Sequence, residues 1–295
     1  MSTPLTPIED LRREIDEIDT ALHELLMRRS DVAARIGALK DGPDGPDGGF
    51  LRPAREAAIL RRLVARHTGP LPAAVIVRIW REMMSALVRL QGPFAVAVYV
   101  SDQWPGYWDL ARDHFGSHTP ITAHDSAGQA LGLVIDGTAT IAVLPVPQQD
   151  DQDPWWRFLV RRDGPRIIAR LPFGDSGACR GPNVEALAVG RVAVEETGRD
   201  RTFLVLETSA EISRSALHTS LEAVGFDVVL VHVWHDPADP STWLHLVELE
   251  GFVEKDDPRL ARFAKSRAEV LREIWPIGAY AIPFTRSELG VSEKA

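Results

Sequence analysis

The chain has 295 residues, 45% of them apolar and 25% charged, enough length and apolar content for two or three packed domains. Its 33 Lys and Arg against 42 Asp and Glu leave a formal charge of −9. That argues against a general nucleic-acid binder, but the acid excess lies mostly in the second half, so the first third can still carry a local basic site. One cysteine, Cys179, excludes an intrachain disulfide and suits a reducing cytoplasm. No stretch approaches the ~20 apolar residues of a membrane span, and Met1 to Asp10 lacks the basic start and apolar run of a signal peptide.

Ile8 to Lys40 reads as one long helix. Leu11, Ile15, Ile18, Leu22, Leu25, Val32, Ile36 and Leu39 recur at alternating four and three residues, a coiled-coil-like stripe, and Pro7 precedes it where a helix start tolerates proline. Asp41 to Gly49 is a Gly/Pro/Asp loop. Pro53 to His67 is a second helix, broken by Gly69-Pro70, and Pro72 to about Gln91 is a third, ended by Gly92-Pro93. Two shorter helices cannot cover the whole stripe of the long one, so a partner chain is expected.

After Pro93 the pattern becomes α/β. Strands are expected at Phe94 to Val100, Thr140 to Pro145, Trp156 to Val160, Arg166 to Leu171 and Ala186 to Val194, with helices at Tyr107 to Phe115 and Ser126 to Ile135. From Arg201 the order becomes strand (to Glu207), helix (Ser213 to Val224), strand (Val228 to Trp234), strand (Trp243 to Glu250), helix (Pro258 to Ala268) and strand (Ala279 to Pro283). That is the βαββαβ order of ferredoxin-like folds. The tail after Thr285 is polar and expected to fray. The fold class is thus multidomain: an all-α unit over 1–92, an α/β unit over 93–199 and an α+β unit over 200–295.

Polar residues interrupt the helical stripes. Arg29 stands between Leu25 and Val32, Glu56 aligns with Leu60, Leu63 and His67, and Gln91 continues Trp80, Met83 and Leu87. Inward charges and amides need a polar network or a polar ligand. Lys40 lies eleven residues after Arg29, close to three turns, so the two cations share a face ~16 Å apart and can converge on one small anion. Arg12 lies ~25 Å from Arg29 along the axis and reaches such a ligand only from an antiparallel partner. Singly, each has an ordinary reading as a solvated, paired or helix-end residue; the set of five is more specific than any member.

These residues resemble the all-helical chorismate mutases. The match runs through LRREIDEID (Leu11 to Asp19), LLMRR (Leu25 to Arg29), Gly37 to Lys40, REAAIL (Arg55 to Leu60) and the helix end at Gln91, about residues 8 to 92. The resemblance implies an intertwined homodimer whose sites are shared between subunits. Arg12 of one chain and Arg29 of the other would hold the carboxylates of chorismate, with Arg55 in support. Lys40 and Gln91 would hydrogen-bond the ether oxygen, and Glu56 would receive the substrate hydroxyl. The rearrangement to prephenate is pericyclic and calls for no cofactor or metal, only a held conformer and stabilisation of growing negative charge. Arg52 and Leu87 depart from the family, which usually has Asp and a hydroxyl residue there. An isochorismate-pyruvate lyase on the same scaffold, or a non-enzymatic sensor of chorismate or an amino acid, remains an alternative.

The rest of the chain resembles a shortened prephenate dehydratase followed by an ACT regulatory domain. FAVAVYV (Phe94 to Val100) is similar to the dehydratase's opening strand, and Thr138 to Gln148 to a later one, with Pro147 and Gln148 replacing Glu-Asn. WWRFLV (Trp155 to Val160) places Trp156 at the position of a catalytic Thr. No dehydratase activity is therefore expected. Ser215-Ala216-Leu217 and His232 to Pro237 stand where ACT domains bind an amino acid, so an aromatic amino-acid effector is a possible partner by resemblance. His232, His235 and His245 read as structural rather than metal-binding, and GDSG (Gly174 to Gly177) as a turn. Neither nucleic acid nor membrane is an expected partner.

Overall fold

A computed structural model describes residues 7–40, 50–101, 105–149, 151–152, 154–175, 184–237, 239 and 241–291. Cys179, the Asp41 to Gly49 loop, the second half of GDSG and the Lys40 side chain lie outside the described residues. Among the described residues no helix is long and apolar enough to cross a membrane.

The first section is helical. Helix α1 spans Pro7–Lys40, α2 Pro53–Arg66 and α3 Ala73–Gln91. Proline at the start, Glu9 and Asp10 in the first turn of α1, and Glu56 early and Arg66 late in α2 suit helix ends and their dipole. The C-terminal part of α1 packs on α3 through Ala33 and Gly37, both buried. A Cβ on Gly37 would sit 3.0 Å from the Cα of Gln91, so only glycine allows this approach without displacement. Along the rest of α1 the stripe stands open: Leu11, Ile15, Ile18, Leu22, Leu25, Val32, Ile36 and Leu39 keep between 43% and 80% of their surface.

Beyond Pro93 come β1 (Val96–Tyr99), α4 (Gly106–Phe115), β2 (Ile121–His124), α5 (Ala127–Ile135) and β3 (Ile141–Pro145). A 3-10 turn at Trp155–Leu159, β4 (Arg166–Leu171) and β5 (Ala186–Gly190) follow. The last section is β6 (Asp200–Thr208), α6 (Arg214–Glu222), β7 (Val228–His235), β8 (Trp243–Glu250), α7 (Pro258–Ser266) and β9 (Leu271–Ala281). Side-chain caps start three helices: Ser126 accepts from the Gln129 amide, Ser213 from Ala216 and Asp257 from Arg259.

Among the described residues nine strands form one sheet in the order β2-β1-β3-β5-β4-β9-β6-β8-β7. β2, β1 and β3 run parallel, and their apolar runs are covered by α4 on one face and α5 on the other. The last four strands lie as β9-β6-β8-β7, the 4-1-3-2 order of a ferredoxin-like unit, backed by α6 and α7 over Leu204, Leu206, Val247 and Leu249.

Several expected elements are corrected. Trp156 to Val160 is a 3-10 turn: Pro154 leads the segment, and its carbonyl accepts the Arg157 amide. A short apolar run does not distinguish strand from turn by periodicity. β5 ends at Gly190, four residues early. β9 begins at Leu271, eight residues early, because Arg272, Glu273, Pro276 and Gly278 mask a strand whose regular pairing with β6 is broken by a bulge. β2 was not expected. The described part of the tail, 285–291, is anchored: Leu289 is 1% exposed in the α2–α3 core, Glu288 pairs with Arg199 at 2.6 Å, and Arg286 pairs with Asp175 at 2.9 Å.

The two halves of the sheet meet where Ile167 of β4 pairs with Gly278 of β9. Gly278 has φ +147°, and a Cβ there would lie 2.2 Å from the Ile167 carbonyl oxygen. Glycine is required both for its backbone conformation and for strand approach. Gly278→Ala should lower the unfolding free energy by ~2–4 kcal/mol. A urea melt with an unchanged midpoint would contradict this reading of the junction.

Candidate active site

The helical unit docks on the α/β sheet at α2 and α3. Ala57, Leu60, Val77 and Met84 bury themselves against Phe173, from the turn after β4, and Leu289. Arg61 of α2 donates to the carbonyls of Thr197, Arg199 and Ile282 and to the Thr197 hydroxyl, at 2.8 to 3.2 Å. These bonds satisfy backbone groups at the join between the helices and the sheet.

Within this frame α1, α2 and α3 bring several of the expected residues together. Arg29 of α1 is half-buried and close enough to Arg55 and Glu56 of α2 for their charges to act on it. Burial first, then the positive Arg55, lowers its pKa, while Glu56 opposes. The Glu56 side chain keeps 14% of its surface exposed. Burial raises its pKa above the ordinary carboxylate range, and Arg81 and Arg29 pull it part of the way back. Gln91 ends α3 beside Gly37, one turn before Lys40, and donates from Nε2 to the Leu87 carbonyl at 3.0 Å. The last turn of α1 therefore runs past Gln91.

Arg12 is not brought into this group. It sits exposed on α1, ~25 Å along the axis from Arg29. Arg55 is exposed at the rim. Of the two departures from the family pattern, Arg52 pairs with Glu195 at 2.5 Å, and Leu87 is buried. Arg52 thus serves contact between the helical unit and the segment after β5.

The residue that sequence reasoning missed is Arg81. It is 5% exposed and donates from Nη1 to Glu56 Oε2 at 2.7 Å. The stripe taken from Trp80, Met83 and Leu87 is rotated: the buried face of α3 centres on Val77, Arg81, Met84, Ser85 and Val88. Val77, Arg81, Met84 and Val88 are spaced four, three and four, so the interruption that marked Arg29 was present here too.

Elsewhere the other sequence features separate. His245 bonds the Thr208 hydroxyl at 3.0 Å and is held neutral by burial, its pKa lowered to about 4. His232 contacts Gln149 at 3.2 Å, and His235 stacks on Trp243 at 4.4 Å, so each histidine has its own structural contact. Arg214, beside the Ser215 segment, bonds Gln149 as well, at 3.2 Å.

Removing one partner of the Glu56–Arg81 pair strands a buried charge, whereas removing both does not. Glu56→Ala should destabilise the chain by ~3–5 kcal/mol, with the Glu56→Leu, Arg81→Met double variant recovering most of that loss. Additive losses in chemical denaturation would show that the two charges are not coupled.

Residues 11–92 match the family model described as chorismate mutase type II. A bifunctional chorismate mutase/prephenate dehydratase of Neisseria gonorrhoeae is 37% identical over 306 residues, covering 94% of this chain and 83% of that protein. The protein of the same description from Pseudomonas aeruginosa is 30% identical over 141 residues, 47% of this chain and 38% of its own length. Among solved structures, a prephenate dehydratase of Arthrobacter aurescens in complex with L-Phe shares 12% identity at a TM-score of 0.46, over 65% of this chain and 92% of that one.

Proposed function

Since the chain belongs to the bifunctional chorismate mutase/prephenate dehydratase family, with a type II chorismate mutase domain at residues 11–92, we propose that it rearranges chorismate to prephenate in a site shared by two subunits. The observation that carries this reading is the half-buried Arg29 of α1 set near both Arg55 and the largely buried Glu56 carboxylate of α2, with Gln91 at the helix end beside Gly37. Two guanidinium forks suit a dianion, and the carboxylate suits a substrate hydroxyl.

In this mechanism Arg29 and Arg55, with Arg12 from the second chain, clamp the carboxylates and hold the compact conformer. Lys40 and Gln91 stabilise the negative charge that grows on the ether oxygen as the bond breaks. Glu56 accepts the hydroxyl. Nothing is transferred to the protein, so the rate gain comes from position and preorganised charge. The open stripe of α1 supports the two-chain site: its eight large aliphatic residues, Leu11 to Leu39, stay exposed in one chain, and an antiparallel second α1 would cover them while delivering Arg12.

The reading extends to the α/β region, which we infer to lack dehydratase activity. By the resemblance, Trp156 stands at a catalytic threonine. Its indole is 1% exposed and packed in the core, and it offers no hydroxyl for loss of a substrate hydroxyl. An aromatic amino acid as effector of the last section is part of the same proposal.

The deciding assay is loss of the chorismate ultraviolet band with the full chain, with the product converted by acid to phenylpyruvate. Prephenate formation is expected; a folded dimer that leaves chorismate intact overturns the proposal, and phenylpyruvate formed at neutral pH overturns the dehydratase part. Lys40→Ala should reduce turnover by ~10³-fold with little change in melting temperature. Near-normal turnover would remove Lys40 from the site. Arg12→Ala and Arg29→Ala should each be inactive, and refolding them together should return about a quarter of the activity through the one intact site of a mixed dimer. If the mixture stays silent, the shared site is wrong.

A further inference from the structure

This inference deepens the mutase reading and rests on it. Glu56 would have to present a carboxylate at a fixed point, yet it lies on the first turn of a helix whose surroundings are largely apolar. One oxygen, Oε2, is held by Arg81 at 2.7 Å, while Oε1 accepts no hydrogen bond among the described residues. The guanidinium of Arg81 lies over the ring of Phe173, its central carbon 4.9 Å from the ring centre. Phe173 in turn packs edge-on against Phe284 at 5.4 Å. Thus one face of Arg81 meets a helix of the mutase unit and another meets the α/β region.

We propose that Arg81 is a positioning residue of the mutase site: it orients the Glu56 carboxylate from behind, and Phe173 of the α/β region holds Arg81 in place. Three observations support this assignment. Arg81 is buried and pairs with Glu56 from a different helix, so its side chain is set by tertiary packing rather than by helix propensity. Its cation–π contact comes from a segment more than eighty residues away, which only the docked α/β region supplies. The other oxygen of Glu56 accepts no hydrogen bond among the described residues, and Arg29 lies near enough for its charge to act on the carboxylate.

The ionisation of Glu56 gives this role its own signature. The charged groups acting on Glu56 are Arg81 from α3 and Arg29 from α1, with Arg55 next to it on α2. Arg81 itself faces Glu56, and His114 of α4 lies near it, kept neutral by burial and by the positive Arg81. Burial favours the protonated acid, and Arg81 is the larger of the two opposing charges. Activity that needs the carboxylate falls as pH drops through the Glu56 pKa. Removing Arg81 raises that pKa, so the acid limb moves to higher pH.

The experiment is the pH dependence of kcat/KM for chorismate on the full chain, with Arg81→Met, Arg81→Lys and Phe173→Leu beside the unaltered protein. Arg81→Met should lower kcat/KM by ~10²-fold at neutral pH and shift the acid limb upward by about one pH unit. Arg81→Lys keeps the charge without the fork, so its limb should stay near the original while kcat/KM falls. Phe173→Leu should lower kcat/KM by ~5-fold, as expected for losing a buried ring beneath the cation. An active parent whose Arg81→Met variant keeps both its kcat/KM and its acid limb overturns the positioning role and leaves the mutase reading standing. Should Arg81→Met fail to fold, unchanged kcat/KM in both Arg81→Lys and Phe173→Leu overturns it equally. A folded parent with no turnover of chorismate overturns the mutase reading, and this inference falls with it.

Discussion

The ion pair between Glu56 and Arg81 is the constraint around which the two parts of the molecule are arranged. Neither charge is tolerable alone at that depth, and each is kept there by its partner. Three elements are tied by it: α2 carries the carboxylate, α3 carries the guanidinium, and the turn after β4 supplies the aromatic ring beneath. Arg61 acts beside it in a different way, closing backbone carbonyls at the junction rather than meeting a charge. Docking of the helices on the sheet is therefore both apolar, through Phe173 and Leu289, and electrostatic.

A second constraint is length. A helix of 34 residues runs ~51 Å, far longer than the two helices that follow it in the same chain. Only its final third finds cover, where Ala33 and Gly37 let α3 come close. The remaining stripe is too apolar and too continuous to be a solvated surface in isolation. In the proposed two-chain arrangement, this mismatch becomes the reason that substrate-binding groups can come from both subunits.

The α/β part also shows how sequence and packing divide the work. A single glycine, Gly278, lets β9 stay paired with β6 on one edge while β4 approaches the other, so two sections that differ in topology share one sheet. Trp156 fills the space between that sheet and α5 with a large side chain. An indole placed this deep serves packing.

Much of this was legible in the sequence. The three helices, the βαββαβ order of the last section and the apolar stripe of α1 follow from periodicity and from Gly/Pro punctuation, because side chains repeat at 3.6 or 2 residues whatever they pack against. The family match at residues 11–92 was legible too, since its motifs are local and ordered. Periodicity misled where elements are irregular: Trp155–Leu159 and β9 carry prolines, bulges and charges that hide their state. What only the tertiary structure decided is which interior polar residues meet. Arg81 and Glu56 are 25 residues apart on different helices, and Phe173 is further still. A sequence shows that a charge falls on a buried face; it does not show which distant group satisfies it, because that choice is made by the three-dimensional approach of chain segments that are not neighbours along it.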